Sequence, residues 1–417
     1  MKNLIKTLGI LITISFITFL SNNSDAQWLT SSNGITGSVN ITSLTGLGAN
    51  IFAGSSGEGV YLSSNNGTSW AAVNNGLTQL AVSALAFSGS TLFAGTQDGV
   101  FASQNNGSNW FLSNTGIVGR IVSFAVSGTN IYAGGTGGIF LSVNNGASWT
   151  ELVNDLPANF SATALAVSGA GIFAGENNTG SGIPGGIYKS TNGGNNWILA
   201  VNGLINGNVR CLAVSGTTLF AGTAAGVYVS ANDGNNWSQA NGGLPGLLYV
   251  NTLYASGSNV FAGTNPPGQL YMTTDNGANW IDKSQGFTGP QYVYSINVFN
   301  GNIFAAKYHS VWKRQYSEII GIRNISTEIP ERYSLDQNYP NPFNPSTEIK
   351  FTIPLVCNVS LRVYDARGIE VKSYVQTNLQ RGTYLVNIDG ADLSGGIYFY
   401  ELISGNFRDA KKMVLIK

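Results

Sequence analysis

Three carboxylates, Glu58, Asp98 and Glu176, are the residues of this chain best suited to acid–base chemistry. Two such groups facing each other across a sugar hydrolyse a glycosidic bond, one as acid and one as base or nucleophile. Two arginines, Arg120 and Arg210, can offer paired N–H groups to a ligand carboxylate. Tyr249, Tyr292, Tyr308 and His309, the sole histidine, add rings and hydrogen-bonding edges. These candidates run from residue 58 to residue 309, so any joint chemistry depends on the fold gathering them. No His/Cys cluster has metal-ligand spacing and no glycine loop has phosphate-binding spacing, so neither a metal nor another cofactor is expected.

The elements that must position them come from a repeat. Ile51-Phe52-Ala53-Gly54 returns as Leu92-Phe93-Ala94-Gly95, Ile131-Tyr132-Ala133-Gly134, Ile172-Phe173-Ala174-Gly175, Leu219-Phe220-Ala221-Gly222, Val260-Phe261-Ala262-Gly263 and Ile303-Phe304-Ala305-Ala306. The aromatics stand 41, 39, 41, 47, 41 and 43 residues apart. A period near 40 with four short apolar runs per unit is that of a β-propeller blade. The expected fold is all-β: a seven-bladed propeller over 27–316, then a small Ig-like β-sandwich over 334–417, with 317–333 as linker. Gln27 to Thr30 read as an outermost strand without a partner, and the last unit stops after three strands. The first should complete the last and close the ring, leaving no free sheet edge.

In six units a second phrase follows, Ser/Thr-x-Asn/Asp-x-Gly-x-Ser/Asn-Trp, ending at Trp70, Trp110, Trp149, Trp197, Trp237 and Trp280. It reads as a tight turn, with an Asx side chain bonding local backbone and Gly supplying a positive φ, then a Trp for the core. The phrase resembles the Asp-box of sialidase-like and sortilin-like propellers, although the third position is Asn in five copies and acidic only at Asp275. In such folds ligands usually lie on the face opposite the box turns. By position in the repeat that rim carries the carboxylates, the arginines, the tyrosines and His309. A sialidase would need an arginine cluster, and the propeller has only Arg120, Arg210 and Arg314. The Arg-Ile-Pro motif of sialidases is also missing. The long stretch Glu176 to Pro184 in the fourth unit is a candidate specificity loop.

Charge separates the two parts. Residues 27–316 hold 7 Lys/Arg and 8 Asp/Glu, whereas 317–417 hold 11 of each. So neutral a propeller has no electrostatic footprint for nucleic acid. Residues 1–26 read as a secretory signal, with Lys2 and Lys6 before an apolar run from Leu8 to Leu20. No other segment is apolar enough to span a membrane. Cys211 and Cys357 fall in different parts and are not expected to pair. A monomer is expected.

The tail opens with Gln337-Asn338-Tyr339-Pro340-Asn341-Pro342-Phe343-Asn344-Pro345, whose prolines forbid helix. Alternating strand-like runs follow, including Gly395-Gly396-Ile397-Tyr398-Phe399-Tyr400, and predict six or seven antiparallel strands. With Val363-Tyr364-Asp365-Ala366-Arg367-Gly368 and Lys411-Lys412-Met413-Val414, these motifs resemble the type A C-terminal sorting domain of the type IX secretion system of Bacteroidetes and their relatives. The resemblance covers 84 residues. It implies Sec export, passage across the outer membrane by the type IX machinery, and a passenger anchored at the surface or released. It also implies that the sorting domain is usually removed. The passenger then reads as a non-catalytic binding or adhesion module for a glycan or a surface protein. A glycan-cleaving enzyme, sialidase-like or using a carboxylate pair, is the rival. A structural surface protein without a discrete ligand is the third reading.

Overall fold

The computed structural model describes residues 27–417 except 178–184, 247, 267, 289–291, 327 and 391–392. The expected signal at 1–26 and most of the loop after Glu176 lie outside the described residues.

Among the described residues, 27–315 build seven four-stranded antiparallel sheets. The second is typical: Val82–Ser88, Thr91–Thr96, Gly99–Ser103 and Phe111–Leu112. The innermost strands of successive sheets pack against one another, and the seventh returns to the first. Leu44 N–H donates to Ser295 Oγ at 3.1 Å and Asn297 Nδ2 donates to Leu44 O at 3.1 Å across that junction. Closure comes as the sequence predicts: Leu29 and Thr30 pair with Lys313 and Trp312 as the outer strand of blade 7.

The recurring aromatic explains the repeat. Phe52, Phe93, Phe173, Phe220, Phe261 and Phe304 are fully buried, and Tyr132 nearly so. Each sits in the hydrophobic cluster of the next blade, so the same position bolts every neighbouring pair together. The box supplies a second bolt. In the first, Ser63 Oγ donates to Asn65 Oδ1 at 3.0 Å and accepts from Gly67 N–H at 2.9 Å, while Ser69 N–H donates to Asn65 Oδ1 at 2.9 Å. Asn66 and Gly67 both take positive φ, 56° and 77°. An amide therefore serves the turn as well as a carboxylate does, since the acceptor oxygen is what the backbone uses. The box Trp then reaches back: Trp70 Nε1 donates to Ser31 O at 2.7 Å and its N–H to Asn33 O at 2.8 Å. The same indole bond recurs at Trp110, Trp149, Trp237 and Trp280. Trp197 Nε1, by contrast, is buried without a partner. Trp28 is the Trp that blade 7 lacks a box to supply: its Nε1 donates to Lys283 O at 2.8 Å.

The tail forms two packed four-stranded sheets, eight strands rather than six or seven. The added strands are Ser334–Leu335, ahead of the proline-rich motif, and one in the segment expected to be a linker. Residues 317–333 are not free of structure: Tyr316–Ile319 form one helical turn, and Ile322–Ser326 pair antiparallel with Gly382–Asp389 as an edge strand of the sandwich. Tyr316, Ile319, Ile320 and Ile322 are buried in one cluster that contains both Phe261 of the propeller and Phe351 of the sandwich. The sandwich rests on the turns after the innermost strands of blades 6 and 7, where Asn259 Nδ2 donates to Tyr316 Oη at 3.1 Å and Tyr316 N–H to Gly301 O at 2.9 Å. Those turns share a face with the boxes, so the opposite face is left uncovered.

The proline-rich motif is a fixed loop. Buried Asn338 is bonded within the tail: its N–H donates to Tyr400 Oη at 2.8 Å, its Nδ2 to Pro340 O at 3.0 Å, and its Oδ1 accepts from Gln337 Nε2 at 2.6 Å. Phe343 is buried and bridges to Val414 by a 2.9 Å backbone bond, with Asn341 Oδ1 accepting from the same residue's N–H at 2.9 Å. Pro342, Asn344 and Pro345 are exposed, although Pro345 O accepts from Gly390 N–H at 2.7 Å. Tyr339 is 82% exposed, Gly396 lies open, and Tyr398 is buried with its hydroxyl on Ser394 O at 2.7 Å. Cys211 and Cys357 are both free.

Candidate functional site

The uncovered face is where the sequence candidates fall, and the fold does not gather the carboxylates. Glu58 accepts from the hydroxyl of Tyr61 in its own blade and from Thr36 Oγ1 at 3.5 Å. Burial and this carboxylate together raise the Tyr61 phenol above its ordinary pKa. Asp98 is exposed and accepts from Gln79 Nε2 at 3.2 Å. Glu176 is not in a loop but ends the second strand of blade 4, 6% exposed, with Oε2 buried and unpartnered. Burial raises its carboxyl above the usual range. The three share no partner, and among the described residues no three His, Cys, Asp or Glu side chains gather to hold a metal.

Glu176 occupies a position with a regular job. Ser55, Thr96, Thr223 and Thr264 stand there in blades 1, 2, 5 and 6, each donating its hydroxyl to the carbonyl that opens the third strand, at 3.0, 3.0, 3.0 and 3.1 Å. Blade 7 places Lys307 at the same position, fully buried, with Nζ 4.0 Å from the centre of the Phe287 ring and 5.4 Å from that of Trp312. Burial pushes the ammonium down to about 8. Two ring faces supply the partner that no oxygen does.

A feature the sequence reading missed organises the rim. Each innermost strand carries a bulge at its second residue: Thr42, Ser83, Val122, Thr163, Arg210, Asn251 and Tyr294. A bulge leaves its residue outside the ladder and re-aims its side chain. In blades 1 and 4 that side chain closes a blade junction. Thr42 Oγ1 donates to Gly54 O and Val82 O, and Thr163 Oγ1 to Gly175 O and Val209 O. Ser83 accepts from Arg120 Nη2 at 2.8 Å, which ties blade 3 to blade 2.

Blades 5 to 7 break the pattern. Their bulge residues are Arg210, Asn251 and Tyr294, and the residues just before those strands are Asn208, Tyr249 and Tyr292. The Arg210 guanidinium lies 5.8 Å from the centre of the Tyr249 ring. Tyr292 stacks on Tyr294 with centroids 5.6 Å apart, and Tyr308 on His309 at 3.7 Å. Burial, with Tyr292 and Tyr308 nearby, raises the Tyr294 phenol. Tyr249, Tyr292 and Tyr308 are 46%, 38% and 42% exposed. In the same blades amide atoms are buried without partners: both of Asn251, and Oδ1 of Asn208 and Asn265. Asn265 is held to the sector by its N–H, which donates to Tyr249 O at 3.0 Å. The sequence signal for this sector was available as the loss of small residues at one repeat position in three consecutive units.

Set beside known proteins, residues 337–417 match the family of secretion system C-terminal sorting domains. With that tail the protein is directed by type IX export to the cell surface or into the surroundings. No helix among the described residues is long and apolar enough to cross a membrane. The propeller is similar in fold to the extracellular domain of the putative hybrid two component system BT4673 from B. thetaiotaomicron: TM-score 0.59 and 13% identity over 78% of this chain, which spans 45% of that domain. It is also similar to YCF48 bound to D1 peptide (TM-score 0.56, 13% identity, 70% of this chain and 97% of that one). The Neurospora crassa Pan2 WD40 domain gives 0.51, 12%, 70% and 96%. At such identities the likeness is one of fold alone. No curated protein matches the chain by sequence.

Proposed function

We propose that this is a non-catalytic binding module, carried out of the cell by its tail, whose ligand lies across the mouth of blades 5 to 7. The supporting observation is that three adjacent blades replace small bulge residues with Arg210, Asn251 and Tyr294, flanked by exposed Tyr249 and Tyr292. In a scaffold of near-identical units, a change of side chain confined to one sector of the rim supports a ligand there. The paired-carboxylate reading has less support, because Glu58, Asp98 and Glu176 bond within blades 1, 2 and 4. The box geometry supports the resemblance to Asp-box propellers, with residues 1–26 as the export signal and 27–316 as passenger.

The test is binding of labelled residues 27–417 to a broad glycan and surface-protein panel, with the Tyr249→Ala/Tyr292→Ala double variant alongside. Selective binding that the double variant loses is the expected result. Selective binding that the variant keeps would move the site elsewhere, and no binding to any member would leave the purely structural reading.

A further inference from the structure

The geometry points to a sugar acid: we infer that the sector binds a carboxylate-bearing glycan, with the acid on Arg210 and the sugar faces on Tyr249 and Tyr292. This rests on the binding reading above and narrows its ligand class.

Arg210 makes no ion pair among the described residues, unlike Lys189 and Arg314, which face Asp233 and Glu318. Its one described contact is the Tyr249 ring. A ring face holds a guanidinium by its π-surface and leaves the N–H edge free for an incoming carboxylate. Blades 5 to 7 place no acidic residue on the same rim. The acids of blades 5 to 7 are Asp233 and Asp275 in the box turns and Asp282 on an outer strand. The rim acids Glu58, Asp98 and Glu176 belong to blades 1, 2 and 4. The same sector carries Asn208, Asn251 and Asn265, whose unpartnered amide atoms are buried beneath the rim. The exposed rings of Tyr249 and Tyr292 occupy the same repeat position in adjacent blades, so they line the mouth side by side. Aromatic faces carry negative charge and pair with the C–H faces of pyranoses.

The probe is polygalacturonate, compared with its fully methyl-esterified form, on residues 27–417. The pair differ in charge and share the sugar. The acid form should bind at least about tenfold more tightly, the effect of one charge-assisted bidentate contact. Arg210→Gln should erase that preference while leaving the ester form's affinity unchanged, and Arg210→Lys should restore part of it. Tyr249→Ala should weaken both forms. Retained thermal stability of each variant separates binding loss from misfolding. Equal binding of acid and ester, or a preference that survives Arg210→Gln, overturns the sugar-acid inference and leaves the binding reading intact. Binding of polyglutamate in place of either glycan also overturns it. No binding of any saccharide, acidic or neutral, overturns the sugar-acid inference and leaves the binding reading to the surface-protein panel.

Discussion

The two faces of this propeller use the same strands to opposite ends. On the box face six turns repeat one hydrogen-bond pattern, and the Trp after each turn packs against the preceding blade. On the other face the bulges repeat in backbone but not in side chain, and three consecutive blades depart from the rest. Where the repeat is kept, the residue is spent on holding neighbours. Where it is dropped, larger polar and aromatic side chains stand at the rim, and the proposed site lies there. The contrast makes each face respond differently to substitution.

The largest effect belongs to the box face. Trp237→Ala removes a buried indole and its 3.0 Å bond to Ala200 O, so unfolding in denaturant should show a loss of about 3 kcal/mol or more. A loss below about 1 kcal/mol would mean that the boxes do not hold the blades, and the contrast between faces would fail.

A smaller effect of opposite sign comes from Lys307. Its folded pKa lies near 8, below the ordinary 10.5, so the unfolded chain keeps the proton longer. Stability should therefore rise with pH between about 8 and 10.5, with the full cost of the buried cation present below about 8. The displacement alone corresponds to about 3 kcal/mol, and the Phe287 and Trp312 faces offset part of it. Lys307→Met, which keeps the volume, should stabilise by about 1–2 kcal/mol at pH 7. Its advantage over the parent should shrink as pH rises past 9. A constant advantage would show that the amine is not the source.

The smallest stability effect belongs to the mouth. Tyr249→Ala should change the unfolding free energy by less than about 0.5 kcal/mol, since the ring is nearly half exposed. A loss as large as that of Trp237→Ala would make Tyr249 a structural residue and remove the site.

Much of this architecture was legible in sequence, because a repeat multiplies each weak local signal seven times. The aromatic at positions 52, 93, 132, 173, 220, 261 and 304 fixed the period, and Gln27 to Thr30 announced the closing strand. The mouth was only half legible. Arg210, Tyr249, Tyr292 and Tyr308 stood out by type, but their grouping depends on bulges, which one-residue register shifts create without a sequence signature of their own. Asn208 and Asn251 were invisible in a chain so rich in asparagine, whereas Asn265 stood out only as the start of the inserted Asn265-Pro266-Pro267 loop. Trp28 escaped notice because no box precedes it. The strand within 317–333 was hidden for another reason: Ile322-Arg323-Asn324-Ile325-Ser326 lacks alternation, and as an edge strand it buries Ile322 fully while its next three residues stay exposed.

That strand also bears on how the two parts could come apart. It lies beyond the propeller, on the propeller side of residues 328–333, and is hydrogen-bonded to the tail's sheet. A protease that cut within 328–333 would sever the covalent link and leave the grip intact, because Ile322–Ser326 would stay zipped to Gly382–Asp389. Separation would then be a second event with its own rate, set by drawing one strand out of a sheet. The propeller part would then trail an unpaired strand, with Tyr316, Ile319 and Ile320 uncovered at its root, and the bared sheet edge at Gly382–Asp389 would stay with the tail.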